Sequence, residues 1–280
     1  MSLRFGLDIA QHQLTWEELV ARARIAEDAG LDGVWVFDHF KALYADPHGP
    51  ALEAWTLLAG LARETSRVRL GTLVTGMTHR HPSVLAAEVV TIDHLSGGRV
   101  ECAVGAAWNE AEHRELGIPF PAVHERMDRL EEGVTVLRRL FTEDDVSFEG
   151  GHFRLEGASY HPRPVQQPHP PIWIGGSGRR RTLPIAGRLA DAWHGWAEDA
   201  AELAELMGII DRAAEEAGRD PATILRASSL SISEPWDEVK ATHDWMVDGG
   251  IRYLVIEWPT EGRARLDEFL ERVLPSLSSS

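Results

Sequence analysis

Short runs rich in β-branched and aromatic residues alternate with amphipathic helical runs from one end of this chain to the other. No other feature limits the fold so tightly. Strands are predicted at residues 3–9, 33–37, 67–74, 99–105, 171–176, 191–195, 223–231 and 251–258. Helices are predicted between and after them, at 14–30, 51–64, 83–95, 124–141, 178–189, 198–217, 235–248 and 262–273. The first helix carries its own punctuation: Thr15 as N-cap, Glu18 three residues on, and Gly30 past the end. Strict alternation means parallel strands joined by crossover helices. Eight such units in a chain of 280 residues, with no linker between them, fit a single closed (β/α)8 TIM barrel over residues 1–275, with 276–280 as a frayed tail. One stretch breaks the pattern. Residues 146–157 (VSFEGGHFRLEG) alternate around Gly150-Gly151, a β-hairpin inserted between the fourth helix and the fifth strand. An open doubly wound sheet is the competing architecture. Against it, the first strand runs into AQHQLTWEE rather than a glycine-rich phosphate turn.

Charge and cysteine content remove several function classes. Lys and Arg number 28 against 44 Asp and Glu, a formal net charge of −16. That argues against nucleic-acid partners and against docking on an anionic membrane. A single cysteine, Cys102, leaves no disulfide framework and no cysteine-rich metal site, and it sits in an apolar run (GRVECAVGA) that reads as core. No leader and no apolar run of spanning length is seen, so a cytoplasmic location is expected.

In a barrel the site lies where the strands end. Strand two ends in Asp38-His39, strand three in Leu73-Val74-Thr75, strand four in Trp108-Asn109-Glu110, strand five in Gly175-Gly176-Ser177-Gly178 followed by Arg179 to Arg181, strand six in His194-Gly195-Trp196, and strand eight in Glu257-Trp258. Such a mouth suits a flat aromatic ligand with a phosphate. GGSGRRRT, between a strand and a helix, is either an anion cradle or a tight turn with solvated arginines. Asp38-His39 is either an acid–base pair or a cap with a hydrogen-bonded imidazole. His79 and His81 lack a nearby third ligand, so no metal is expected. Glu110, Glu112 and His113 read as a solvated loop or helix start.

The segments VWVFDHF (34–40), EAWTLLAGLARETSRVRLGTLVTG (53–76), RHPSVLAAEVVTIDHLSGGRVE (80–101), GAAWNEAEHRELGIPFP (105–121) and PPIWIGGSGRRRTLPIAGRLADAWH (170–194) give the chain its likeness. It resembles the luciferase-like flavin and deazaflavin oxidoreductases, and within them the branch dependent on coenzyme F-420 (F420). The resemblance implies a cofactor ring lying over a bulge at Leu73–Val74, often with a non-proline cis peptide, next to Thr75. It implies Asp38 and His39 beside the ring, with His39 the catalytic candidate for proton transfer. Asn109 would bond the ring or ribityl chain. Gly175, Gly176, Ser177, Gly178 and Arg179 would hold the phosphate. Homodimers are common in the family.

Ala106 stands where the sugar-phosphate dehydrogenases of this branch carry a glutamate, and the chain has only two lysines, Lys41 and Lys240, to meet a substrate phosphate. A less polar small-molecule substrate follows, walled by Trp108, Trp196 and Trp258. The expected function is hydride transfer between F420 and a small alcohol or an activated C=C or C=O group. The alternatives on the same fold are a reduced-FMN monooxygenase, which would need a partner flavin reductase, and a non-catalytic flavin-binding barrel.

Overall fold

The computed structural model describes residues 2–44 and 46–277. Eleven strands and ten α-helices follow one another along it. The strands are β1 (Arg4–Asp8), β2 (Gly33–Val36), β3 (Arg69–Thr72), β4 (Thr75–Gly76), β5 (Val100–Gly105), β6 (Val146–Glu149), β7 (Arg154–Ala158), β8 (Ile172–Gly175), β9 (Ala192–His194), β10 (Leu225–Leu230) and β11 (Tyr253–Glu257). The helices are α1 (Trp16–Asp28), α2 (Ala54–Glu64), α3 (Pro82–Ser96), α4 (Glu110–Leu116), α5 (Val123–Thr142), α6 (Thr182–Leu189), α7 (Ala200–Glu216), α8 (Trp236–Asp248), α9 (Arg263–Glu268) and α10 (Leu274–Leu277).

All strands except β6 and β7 lie parallel in one sheet, and the sheet closes because β1 pairs with both β2 and β11. Its nine segments make eight staves. The third stave is broken into β3 and β4 around Leu73 and Val74, and both pieces pair with β5. The Leu73–Val74 peptide is cis, at the position the family resemblance implied. The fold is therefore the expected (β/α)8 barrel. β6 and β7 form the predicted hairpin outside it.

Two differences from the expected elements matter. The alternation is not strict: a short extra helix, α4, follows β5 before the long crossover helix α5. Asn109 caps it, accepting from the Glu112 amide at 3.2 Å, so the local sequence WNEAEH starts a helix rather than a loop. The chain end is helical through Leu277, which is buried; residues 278–280 of the tail expected to fray lie outside the described residues.

Strand alternation sorts the core into two layers. Leu7, Val34, Val36, Leu70, Cys102 and Ile174 point outward into the layer shared with the helices. Trp35, Ala103, Trp173, Ala227, Tyr253 and Val255 point inward. The inner aromatics plug the N-terminal half of the barrel. Trp35 and Trp173 lie 4.7 Å apart, and Tyr253 stands edge-on to each at 5.9 and 5.4 Å. Gly71 makes room, since a Cβ there would sit 2.6 Å from Trp35. The plug is finished by a buried carboxylate, Glu101, which accepts from Trp173 Nε1 at 2.7 Å and pairs with Arg69. α1 begins with the predicted capping box: Thr15 accepts from the Glu18 amide at 3.3 Å, and Glu18 accepts from the Thr15 amide at 2.8 Å.

Candidate active site

With the lower half filled, the open space is at the C-terminal ends of the strands. A cavity of about 520 Å³ opens there. Leu73 and Val74 form its floor. The floor is shaped by glycines on the next two staves: a Cβ at Gly105 would lie 2.8 Å from Val74, and one at Gly175 would lie 2.7 Å from it. Only hydrogen at both positions lets the Val74 side chain sit where it does.

His39 enters from the loop after β2. Its Nδ1 lies 2.7 Å from Oε2 of Glu112, which comes from α4 after β5. The other oxygen, Oε1, accepts from the Phe40 amide at 2.8 Å and the Lys41 amide at 3.2 Å. Burial works against the charge of Glu112, but the bonds from His39 and Phe40 hold its carboxyl below the usual range. Glu112 is 3% exposed, so the solvated acid expected from the sequence is a buried one. The signal was present in its spacing, three residues after the cap Asn109, but nothing local tied it to His39.

Asp38, also in the lining, is buried at 1% exposure and bonds Arg80, whose Nη2 also reaches Glu53 at 3.0 Å. Burial opposes its ionisation, yet His79 and Arg80 pull its pKa down to about 2. His79 Nδ1 stands 3.5 Å from Asp38 and its ring lines the cavity, whereas His81 turns away to cap α3. His79, Glu112 and His113 bring possible ligand atoms within 4.8 Å of one another. Both Glu112 oxygens and both His113 nitrogens are already hydrogen-bonded, His113 to the Asn109 carbonyl and to Thr78 Oγ1, each at 2.7 Å, so the cluster is a polar network supporting His39.

On the far wall, burial lowers the His194 pKa to about 4 and keeps it neutral; its Nε2 meets Ser229 Oγ at 3.1 Å. At the end of β1, Asp8 is 7% exposed and faces Glu257 across the β1–β11 register. Burial, then Glu257, raise the Asp8 pKa to about 7, against the lowering bond from the Ala10 amide.

The structure gathers most of the expected site residues and disperses a few. Asp38, His39, Leu73, Val74, Trp108, Asn109, Gly175, Gly176 and Trp196 all line the cavity. Trp108 and Trp196 are exposed at its rim at 67% and 59%. Trp258 is not in the lining; its ring lies 3.6 Å from the Arg22 guanidinium. Thr75 lies behind the floor, accepting from Trp55 Nε1 at 2.9 Å. Ser177, Gly178 and Arg179 stand back from the cavity wall. Of the three arginines at that corner, Arg179 is bound to Glu202 and Glu205, and Arg181 to Asp128 and Glu131. Among the described residues no carboxylate pairs with Arg180. The first turn of α6 has no side-chain cap, but its amides are largely used or missing: the Leu183 amide donates to the Gly178 carbonyl at 3.1 Å and Pro184 carries no N–H. Among the described residues no helix is long and apolar enough to cross a membrane.

A barrel with a split third stave, a cis peptide at its floor and an imidazole–carboxylate pair above defines a class of cofactor-binding α/β barrels. The profile of the luciferase-like monooxygenase family matches residues 1–272, and the chain belongs to that family. It is 32% identical over 252 residues to an F420-dependent glucose-6-phosphate dehydrogenase of Kineococcus radiotolerans, covering 87% of this chain and 72% of that protein. It is 32% identical over 226 residues to an F420-dependent hydroxymycolic acid dehydrogenase of Mycobacterium tuberculosis, covering 80% of this chain and 61% of that one. The chain thus spans under two thirds of the latter. In fold it matches an F420-dependent secondary alcohol dehydrogenase, solved with an F420–acetone adduct, at a TM-score of 0.87 and 22% identity, with 99% of each chain covered.

Proposed function

We propose that this chain is an oxidoreductase that uses coenzyme F420 and interconverts a small apolar alcohol with its carbonyl form. The observation that carries this is the cavity itself: a flat apolar floor at Leu73–Val74, cleared by Gly105 and Gly175, with the His39 ring at its side. The residues present fit a planar tricycle. The space is about 520 Å³, and a Cβ at either glycine would displace the floor. Arg180, which no carboxylate pairs among the described residues, would receive the phosphate of the tail.

When bound, the deazaflavin supplies two-electron hydride chemistry. The chain supplies the rest. Leu73 and Val74 orient the ring, the rim residues Trp108 and Trp196 exclude water from the reacting face, and His39 takes the hydroxyl proton at Nε2 or returns it. Ala106 beside the cavity leaves no acid at that point. With Tyr44 and the two tryptophans at the rim, this favours an apolar substrate over a sugar phosphate.

The test is a paired titration of the purified protein with oxidised F420 and with FMN. Micromolar or tighter binding of F420, with FMN much weaker, is the expected result. FMN binding more tightly would overturn the assignment and direct the work to oxygen-dependent turnover with a reductase.

A further inference from the structure

We propose that Glu112 is the positioning residue for His39: it fixes the imidazole as the tautomer with its proton on Nδ1, leaving the Nε2 lone pair free toward the cavity. The proposal rests on the assignment of His39 as the proton-exchanging group.

The contact joins two distant parts of the chain. β2 and β5 flank the split third stave, so the loops that follow them meet over it. His39 comes from one loop and Glu112 from the helix after the other, and their bond spans 73 residues of sequence. Glu112 cannot swing away. Its Oε1 is pinned by the Phe40 and Lys41 amides, its own amide is held by Asn109, and α4 is tied to the β2 loop again by an ion pair between Lys41 and Glu115. A carboxylate only accepts hydrogen bonds. The nitrogen facing Oε2 at 2.7 Å must therefore donate, and the proton of the neutral ring is placed on Nδ1. Among the described residues Nε2 has no hydrogen-bond partner, and the Trp108 ring stands edge-on to the imidazole, with 5.6 Å between the ring centroids. The role is that of an orienting acid in a catalytic triad, where the wrong tautomer costs about 10⁴ in kcat.

Glu112→Gln tests this with little change of shape. The two backbone amides at Oε1 demand an acceptor, so the side-chain carbonyl stays there and the NH2 group turns to His39. Nδ1 must then accept, and the proton moves to Nε2. Protein labelled with ¹⁵N-histidine, without cofactor, reports the tautomer directly; His39→Gln assigns the signals. The expected result is Nδ1–H in the native protein and Nε2–H in Glu112→Gln. In turnover, kcat for alcohol oxidation with F420 falls at least ~100-fold with substrate KM within about threefold, since a lost general base costs this much. In a His39→Gln background the same substitution adds little, because the two act as one unit. An Nδ1–H signal that survives Glu112→Gln, or a full further loss in the His39→Gln background, overturns the proposal. A tautomer that moves as expected in a protein that oxidises no alcohol with F420 upholds the positioning and overturns the functional assignment.

Discussion

Asp8→Asn should stabilise this protein, and the gain should depend on pH. Asp8 is 7% exposed, one oxygen accepting from the Ala10 amide at 2.8 Å, with Glu257 beside it in the register. Burial first, and Glu257 second, raise its pKa from 3.8 to about 7. Between those two values the folded chain holds a proton that the unfolded chain has released. Stability therefore falls as pH rises across this window, by about 1.4 kcal/mol per unit. The loss is fully developed above pH 7 and amounts to about 4 kcal/mol at that slope over roughly three units. At pH 5 only about 1.6 kcal/mol of it has accumulated. Asparagine keeps the acceptor for the Ala10 amide and cannot ionise. Urea unfolding at pH 5 and pH 8, with linear extrapolation to water, should show the advantage of Asp8→Asn growing by about 2–3 kcal/mol between the two. An advantage equal at both pH values, or a variant less stable than the native protein at pH 8, would refute the argument. A buried acid kept at such a cost, at the end of a barrel strand, is what a functional mouth tolerates and a core does not.

Two further outcomes follow from local geometry. Gly175→Ala brings a Cβ to 2.7 Å from Val74, so it should weaken F420 binding at least ~10-fold while far-ultraviolet circular dichroism stays unchanged, since overpacking of this kind shifts its surroundings at a cost of about 1–3 kcal/mol. Arg99 donates to the carbonyls of Ala62, Thr65, Val68 and Ser96 and to Thr65 Oγ1, tying α2 and α3 to the base of the barrel. Arg99→Lys, with one point of charge for a planar fork, should lose about 2–3 kcal/mol in urea melts, read as a lower midpoint at unchanged slope.

What the sequence made legible was whatever a few neighbouring residues determine. The capping box at Thr15 and Glu18 and the Gly150-Gly151 hairpin have local causes and were found where expected; the break in the third stave, at Leu73–Val74, is where the family resemblance implied it. What stayed hidden were partnerships set by stave order. Glu112 looked solvated because its partner is 73 residues away. The arginines after β8 looked like a basic corner because the acids of α5 and α7 that absorb Arg181 and Arg179, 53 and 26 residues distant, only reach them in the closed barrel. Trp258 was assigned to the pocket from its place at a strand end, but a strand end fixes height in the barrel and not the direction of a residue beyond the last pleat; its ring found Arg22 instead.

The aromatic plug of Trp35, Trp173 and Tyr253, with Glu101 and Arg69, fills the barrel beneath the cavity and closes it from that end. Entry from the strand-end side imposes a sequence of arrivals. A molecule that lies on the Leu73–Val74 floor has to enter before anything that stacks above it and leaves only after that neighbour has gone. With F420 on the floor, as proposed, steady-state kinetics should be compulsory-order, cofactor first in and last out. A small reactant present in excess should then reach the vacant floor ahead of the cofactor and slow its own conversion.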